Sequence, residues 1–234
     1  MAIDDLILPV NPSNRDPRAA CVLVVDVSGS MAGEPISALE RGFAQFSDEI
    51  KEDPLARKRA EIAVVTFGSN AELLVPFQEG RYLEPARFQV NGSTNMGAGI
   101  NLALDEVEAR KQQYREADIE YFRPWIFLLT DGSPDRGSVF DSAVARLNEA
   151  ERQRGVTVFA VGVGHAANFE TLRTLSSDRD PLKLEGLKFA EMFSWLSNSM
   201  KAVSGSNNSG ADESDLQAVT EQIQLAPPGW GAVA

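Results

Sequence analysis

The sequence predicts a doubly wound α/β domain: a mostly parallel sheet, helices on both faces, and one antiparallel edge strand. Three observations carry this. Residues 21–25, 62–67 and 125–129 are continuous apolar runs of strand length, as expected of strands buried on both faces. The stretches between them repeat apolar residues every three or four positions, the stripe of an amphipathic helix. Strand and helix then alternate along the chain, which favours a parallel sheet with crossover helices.

Taken in order, Cys21-Val22-Leu23-Val24-Val25 opens the sheet. Ile36, Leu39, Phe43, Phe46 and Ile50 mark a helix over 35–50, with Pro35 in its first turn. After the strand 62–67, the turn residues Gly68-Ser69-Asn70 lead to a short strand over 71–77 that folds back as the antiparallel edge. Ile100, Leu104 and Val107 share one face of a helix over 97–115, and strand 125–129 starts just after Pro124. Phe140, Val144 and Leu147 line a helix over 138–154 that Gly155 closes. A strand over 156–161, a short helix over 169–176 and a short strand over 182–184 follow. A last helix over 191–203 carries Met192, Trp195, Leu196 and Met200. The composition then shifts to Ser, Asn, Gly and acidic residues over 204–214, a linker signature. Beyond it Leu216, Val219 and Ile223 share one face of a short helix, ahead of Pro227-Pro228-Gly229-Trp230. The chain thus divides into an extension (1–18), one domain (19–203), and a linker with a tail (204–234). That tail is open to three readings: disordered, an intramolecular strap, or a docking peptide.

Composition narrows the function classes. The 234 residues are 43% hydrophobic and 24% charged, ordinary values for a globular protein with a sizeable core. A net charge of −12 argues against unaided nucleic-acid binding, because phosphate repels an acidic surface. Cys21 is the single cysteine, so no disulfide forms within the chain and no multi-thiolate metal site exists. The single histidine, His165, rules out zinc sites built from several imidazoles, and it reads as a solvent-exposed loop residue. No stretch reaches the length of a transmembrane helix, and the short acidic-flanked run Leu6-Ile7-Leu8 does not make a signal peptide. The expected compartment is the cytoplasm. No phosphate-binding glycine loop is present, which argues against nucleotide hydrolysis. The run Arg57-Lys58-Arg59 reads as a solvated turn before a strand.

Chemistry concentrates at strand ends. Asp26-Val27-Ser28-Gly29-Ser30 follows the first buried strand directly, placing one carboxylate and two hydroxyls around a tight turn that Gly29 permits. Thr130-Asp131-Gly132 follows the strand 125–129, and Gly92-Ser93-Thr94-Asn95 precedes a helix. In a doubly wound sheet these ends share one rim, where ligands bind. Oxygen donors in such number suit a hard cation such as Mg²⁺, with Mn²⁺ or Ca²⁺ as alternatives. Alone, Asp-x-Ser-x-Ser is often a capped turn. Three converging oxygen-rich loops are not. Ser93, next to Thr94, offers a competing hydroxyl, and Asp135-Arg136 lies close enough to shape specificity.

These motifs, in this order, resemble the metal-ion-dependent adhesion site (MIDAS) of von Willebrand factor type A domains over residues 19–203. The resemblance implies a metal held directly by Ser28, Ser30 and Thr94, with Asp26 and Asp131 acting partly through water. It leaves one coordination position for an Asp or Glu of a protein partner. Three further segments, 30–36, 159–164 and 193–196, are similar to bacterial TerY-type members of the family. That similarity implies a cytoplasmic role in tellurite resistance or stress response, alongside a kinase-like protein and a metal-dependent protein phosphatase. The expected function is therefore a non-enzymatic, metal-dependent adaptor. A substrate phosphorylated by a cognate kinase and a metal-dependent phosphoesterase are the alternatives, the last disfavoured because no general base is evident.

Overall fold

The computed structural model describes residues 9–132, 134–135, 137–164, 167–205 and 231–233. Strands β1 (Ala19–Asp26), β2 (Ala60–Phe67), β4 (Trp125–Thr130), β5 (Thr157–Val163) and β6 (Leu182–Leu184) run parallel; β3 (Ala71–Glu79) and β7 (Gly231–Val233) are antiparallel. Their order is β3-β2-β1-β4-β5-β6-β7. Side chains alternate across β1: Cys21, Leu23 and Val25 enter one core, and Val22 and Val24 the other. Two buried faces explain why the run has no polar positions.

The first core is closed by α1 (Glu34–Glu52) and α6 (Phe189–Gly205). Phe43 and Phe46 of α1 pack against Phe193 of α6, edge-on and tilted, with ring centroids 6.0 and 5.4 Å apart. The helices approach closely at Gly42, where a Cβ would lie 2.9 Å from the Phe189 backbone carbon. The second core is closed by α3 (Met96–Glu116), α4 (Ser138–Arg152) and the short α5 (Phe169–Leu172). A single turn, α2 (Ala56–Arg59), leads into β2. Among the described residues no helix is long and apolar enough to cross a membrane.

Two details depart from the sequence reading. Residues 231–233 add a strand to β6, so the sheet has an antiparallel strand at each edge. That places a strap at the position expected of a tail. The proposed helix around Leu216 and the residue Trp230 lie outside the described residues. At the end of α4 the left-handed residue is Arg154 (φ 55°), not Gly155. The amides of Arg154 and Gly155 close the helix onto the Glu151 and Ala150 carbonyls, both at 2.8 Å, which is a Schellman ending with arginine at its left-handed position. Pro76 lies in β3, tolerable because β3 is an edge strand with an irregular register.

The N-terminal ends of the strands hold a buried ionic cluster. Glu61 at the start of β2 accepts from Arg18 Nε (3.0 Å), Arg110 Nε (2.6 Å) and the Tyr114 hydroxyl (2.6 Å). Burial and the adjacent carboxylate push the Tyr114 hydroxyl well above its usual range, so it stays a donor. The cluster ties β1, β2 and α3 to the segment before β1, because Arg18 also donates to the Asn14 carbonyl at 2.6 Å.

Candidate metal site

The strand order reverses at β1, whose neighbours are β2 and β4, and the crevice beyond the carboxyl ends of β1 and β4 is where a doubly wound sheet binds ligands. Asp26 ends β1, Thr130 ends β4, and Asp131 follows. The β1 loop turns through a short 3₁₀ segment, Gly29–Met31. It is held by neighbouring loops: Gly29 N–H donates to Gly92 O (3.0 Å), and Asn91 N–H to Val27 O (2.7 Å). Gly92 takes φ 61° beside Ser69, where a Cβ would overlap the Ser69 hydroxyl. The third loop is stitched to the second, since Asp135 N–H donates to Thr94 O at 3.0 Å.

These contacts bring the predicted oxygens together. Ser28 Oγ lies 3.1 Å from Ser30 Oγ, and Ser30 Oγ donates to Asp131 Oδ1 at 2.7 Å. A Cβ placed on Gly132 would sit 3.8 Å from Thr94 Oγ1 and 3.9 Å from Ser30 Oγ, so those hydroxyls flank one small volume. Thr94 is half-buried at this rim. Ser93 is exposed, and its backbone N–H turns to Ser69 Oγ at 3.2 Å, while the Thr94 hydroxyl lies beside Gly132. Asp135 is exposed and meets the site through its backbone; Arg136 and His165 lie outside the described residues.

Asp26 is fully buried, and both its oxygens are engaged. Oδ1 accepts from Ser28 N–H (2.8 Å) and Oδ2 from the Thr130 hydroxyl (2.5 Å). Burial pushes its carboxyl above the ordinary aspartate range, opposed by the hydrogen bonds from Ser28 and Thr130 and reinforced weakly by the Asp131 charge. Thr130 is the residue that sequence reasoning did not assign. Its hydroxyl also accepts from Gly132 N–H at 3.2 Å, so it positions both the buried acid and the loop carrying Asp131. Its position at a strand end between two acidic motifs was the available signal.

The donor set fits a small hard cation. Adjacent ligands on an octahedral ion with bonds of about 2.1 Å stand about 3.0 Å apart, close to the Ser28–Ser30 oxygen separation. Two carboxylates and three hydroxyls make a site of low negative charge. Among the described residues no cluster of three or more His, Cys, Asp or Glu offers an alternative.

The chain is similar to several known proteins. The chain is 25% identical over 180 residues to the uncharacterized protein YfbK of Escherichia coli, a match spanning 74% of this chain and 29% of YfbK. The chain therefore spans under a third of that relative. Among solved structures, a von Willebrand factor type A protein from Catenulispora acidiphila superposes with a TM-score of 0.62 at 18% identity, over 80% of this chain and 43% of that one. Proximal thread matrix protein 1 of the mussel byssus, with zinc in its MIDAS motif, superposes with a TM-score of 0.53 at 17% identity, over 79% of this chain and 48% of that one. The von Willebrand factor type A domain family model matches residues 21–193, from the first core strand through the helix packed on α1, and the chain belongs to that family.

Proposed function

We propose that this chain is a metal-dependent protein-interaction module whose cation completes its shell with an Asp or Glu of a partner. Von Willebrand factor type A domains commonly serve as interaction modules of this kind. The observation that carries the reading is the pair of serine hydroxyls 3.1 Å apart, hydrogen-bonded on to Asp131. Ser28, Ser30 and Thr94 would hold the cation, and Asp26 and Asp131 would act through water. Bound there, the cation supplies a positive charge that weakly donating hydroxyl ligands leave uncompensated. Mg²⁺ is the proposed ion because all the donors are hard oxygens; Mn²⁺ and Ca²⁺ are alternatives, and the zinc in the mussel protein's motif supports a divalent ion in general. The chain's own residues position rather than transfer protons. Asp26 and Asp131 accept hydrogen bonds from the site's own groups, which supports a binding role over a catalytic one.

The similarity of segments 30–36, 159–164 and 193–196 to TerY-type proteins extends the proposal to a cytoplasmic tellurite-resistance or stress system. A kinase-like protein and a metal-dependent phosphatase are the partners in that setting; this extension rests on the resemblance alone. The test is partner capture by the full chain from cells of its source, in Mg²⁺ and in EDTA. Asp26→Ala should lose the Mg²⁺-dependent partners while keeping a cooperative unfolding transition. Equal capture in EDTA, or by a folded Asp26→Ala protein, overturns the reading.

A further inference from the structure

At the pole opposite the metal crevice lies a cavity of about 470 Å³, lined by Asn11, Ser13, Asn14, Arg15 and Asp16 before β1, Lys58 of α2 and Arg81 after β3. The chain as a whole carries a net charge of −12, yet three separate elements each bring a cation here. The acids nearby are already committed. Asp16 pairs with Arg59 at 3.4 Å. Glu79 pairs with Arg81 and accepts from the Asn14 and Asn11 amides at 2.9 and 3.3 Å. Arg15 and Lys58 are exposed and have no acidic partner among the described residues; Arg15 donates only to the Ala117 carbonyl, at 3.0 Å. The Arg81 Nε–H is buried without an acceptor. Two local turns, in which Asn11 and Asn14 side chains accept from the Ser13 and Asp16 amides at 3.1 Å, fix the segment that presents Ser13 and Arg15. The cavity therefore offers guanidinium, ammonium and hydroxyl donors from three elements against one lining carboxylate, Asp16, which is itself paired with Arg59.

We propose that this cavity binds a phosphoryl group, as a phosphate monoester or diphosphate. Arginine forks and a lysine point charge together suit a compact dianion. The chain's overall acidity opposes extended polyanions such as nucleic acid, which would meet repulsion outside the cavity. Binding here is independent of the cation at the other pole. The test uses the full chain in EDTA, with calorimetric titration of inorganic pyrophosphate and, in parallel, a phosphoserine peptide. Saturable binding of either supports the proposal, and the tighter of the two identifies a free or a protein-borne source. Lys58→Ala and Arg15→Ala should each weaken it about tenfold, the loss of one charge-assisted contact. The double variant should abolish it, and Asp131→Ala should leave it unchanged. No binding of either probe, or undiminished binding by the double variant, overturns it.

Discussion

Asp26 combines two requirements that pull against each other: it is buried where it anchors the β1 loop, and the proposed function needs it charged beside a cation. Its folded-state acidity is weakened by burial, so the folded protein holds this proton more tightly than the unfolded chain does. The stabilisation from that proton is complete below the ordinary aspartate value near 3.8 and is lost as pH rises through the raised value. Metal-free protein should therefore lose stability with rising pH in this window relative to Asp26→Asn, which removes the charge, keeps one acceptor for the Ser28 amide, and turns the other edge into a donor to which the Thr130 hydroxyl must reverse. Thermal melts of both proteins across that range, in EDTA, measure the difference. Asp26→Asn should melt higher above the window yet lose its response to Mg²⁺; parallel pH profiles would refute the argument. Thr130, read in the sequence only as part of a motif, belongs to the same balance, because its hydroxyl lowers the cost of the buried charge.

At the scale of elements, the contact between α1 and α6 is set by the absence of a side chain. Gly42→Ala would press a methyl group against the Phe189 backbone and the Phe193 ring, both 2.9 Å from the new atom. A destabilisation of about 1–3 kcal/mol is expected, measured by urea unfolding, since neither helix can shift without disturbing the phenylalanine cluster. The elements legible in the sequence were those with strong periodicity. Both-face burial made the core strands continuous apolar runs, and one-face burial gave α1 its stripe. Gly231-Ala232-Val233 has no pattern of its own, and its strand character comes entirely from the edge that β6 offers. Arg154 shows a similar limit: Gly155 signalled the end of α4, but the hydrogen-bond geometry put the left-handed turn one residue earlier. The five predicted site residues could be brought to one rim from sequence alone because each lies at or near the end of a strand or helix. Thr94 was chosen over Ser93 by the family resemblance; that Ser93 is exposed and Thr94 half-buried at the rim is something only the folded chain displays.

For the molecule as a whole, the ionic cluster around Glu61 joins the segment before β1 to the sheet and α3. Glu61→Ala would leave Arg18 and Arg110 buried without their shared carboxylate, at a cost of about 3–5 kcal/mol. Tyr114→Phe, which deletes one donor and leaves the charges paired, should cost about 1 kcal/mol. Denaturant midpoints of the two variants separate these outcomes, and equal losses would mean that the cluster acts as packing rather than as paired charge.

The strand β7 has a consequence for how the domain can be mounted. Val233 pairs with Leu182, the first residue of β6, and Ala19 opens β1 at the same pole. Both ends of the described chain therefore leave from the side away from Asp26 and Asp131. A neighbouring domain, an anchor or an engineered fusion joined at either end would act as a handle behind the domain. The crevice would face outward like the jaw of a clamp, at the pole opposite those attachment points.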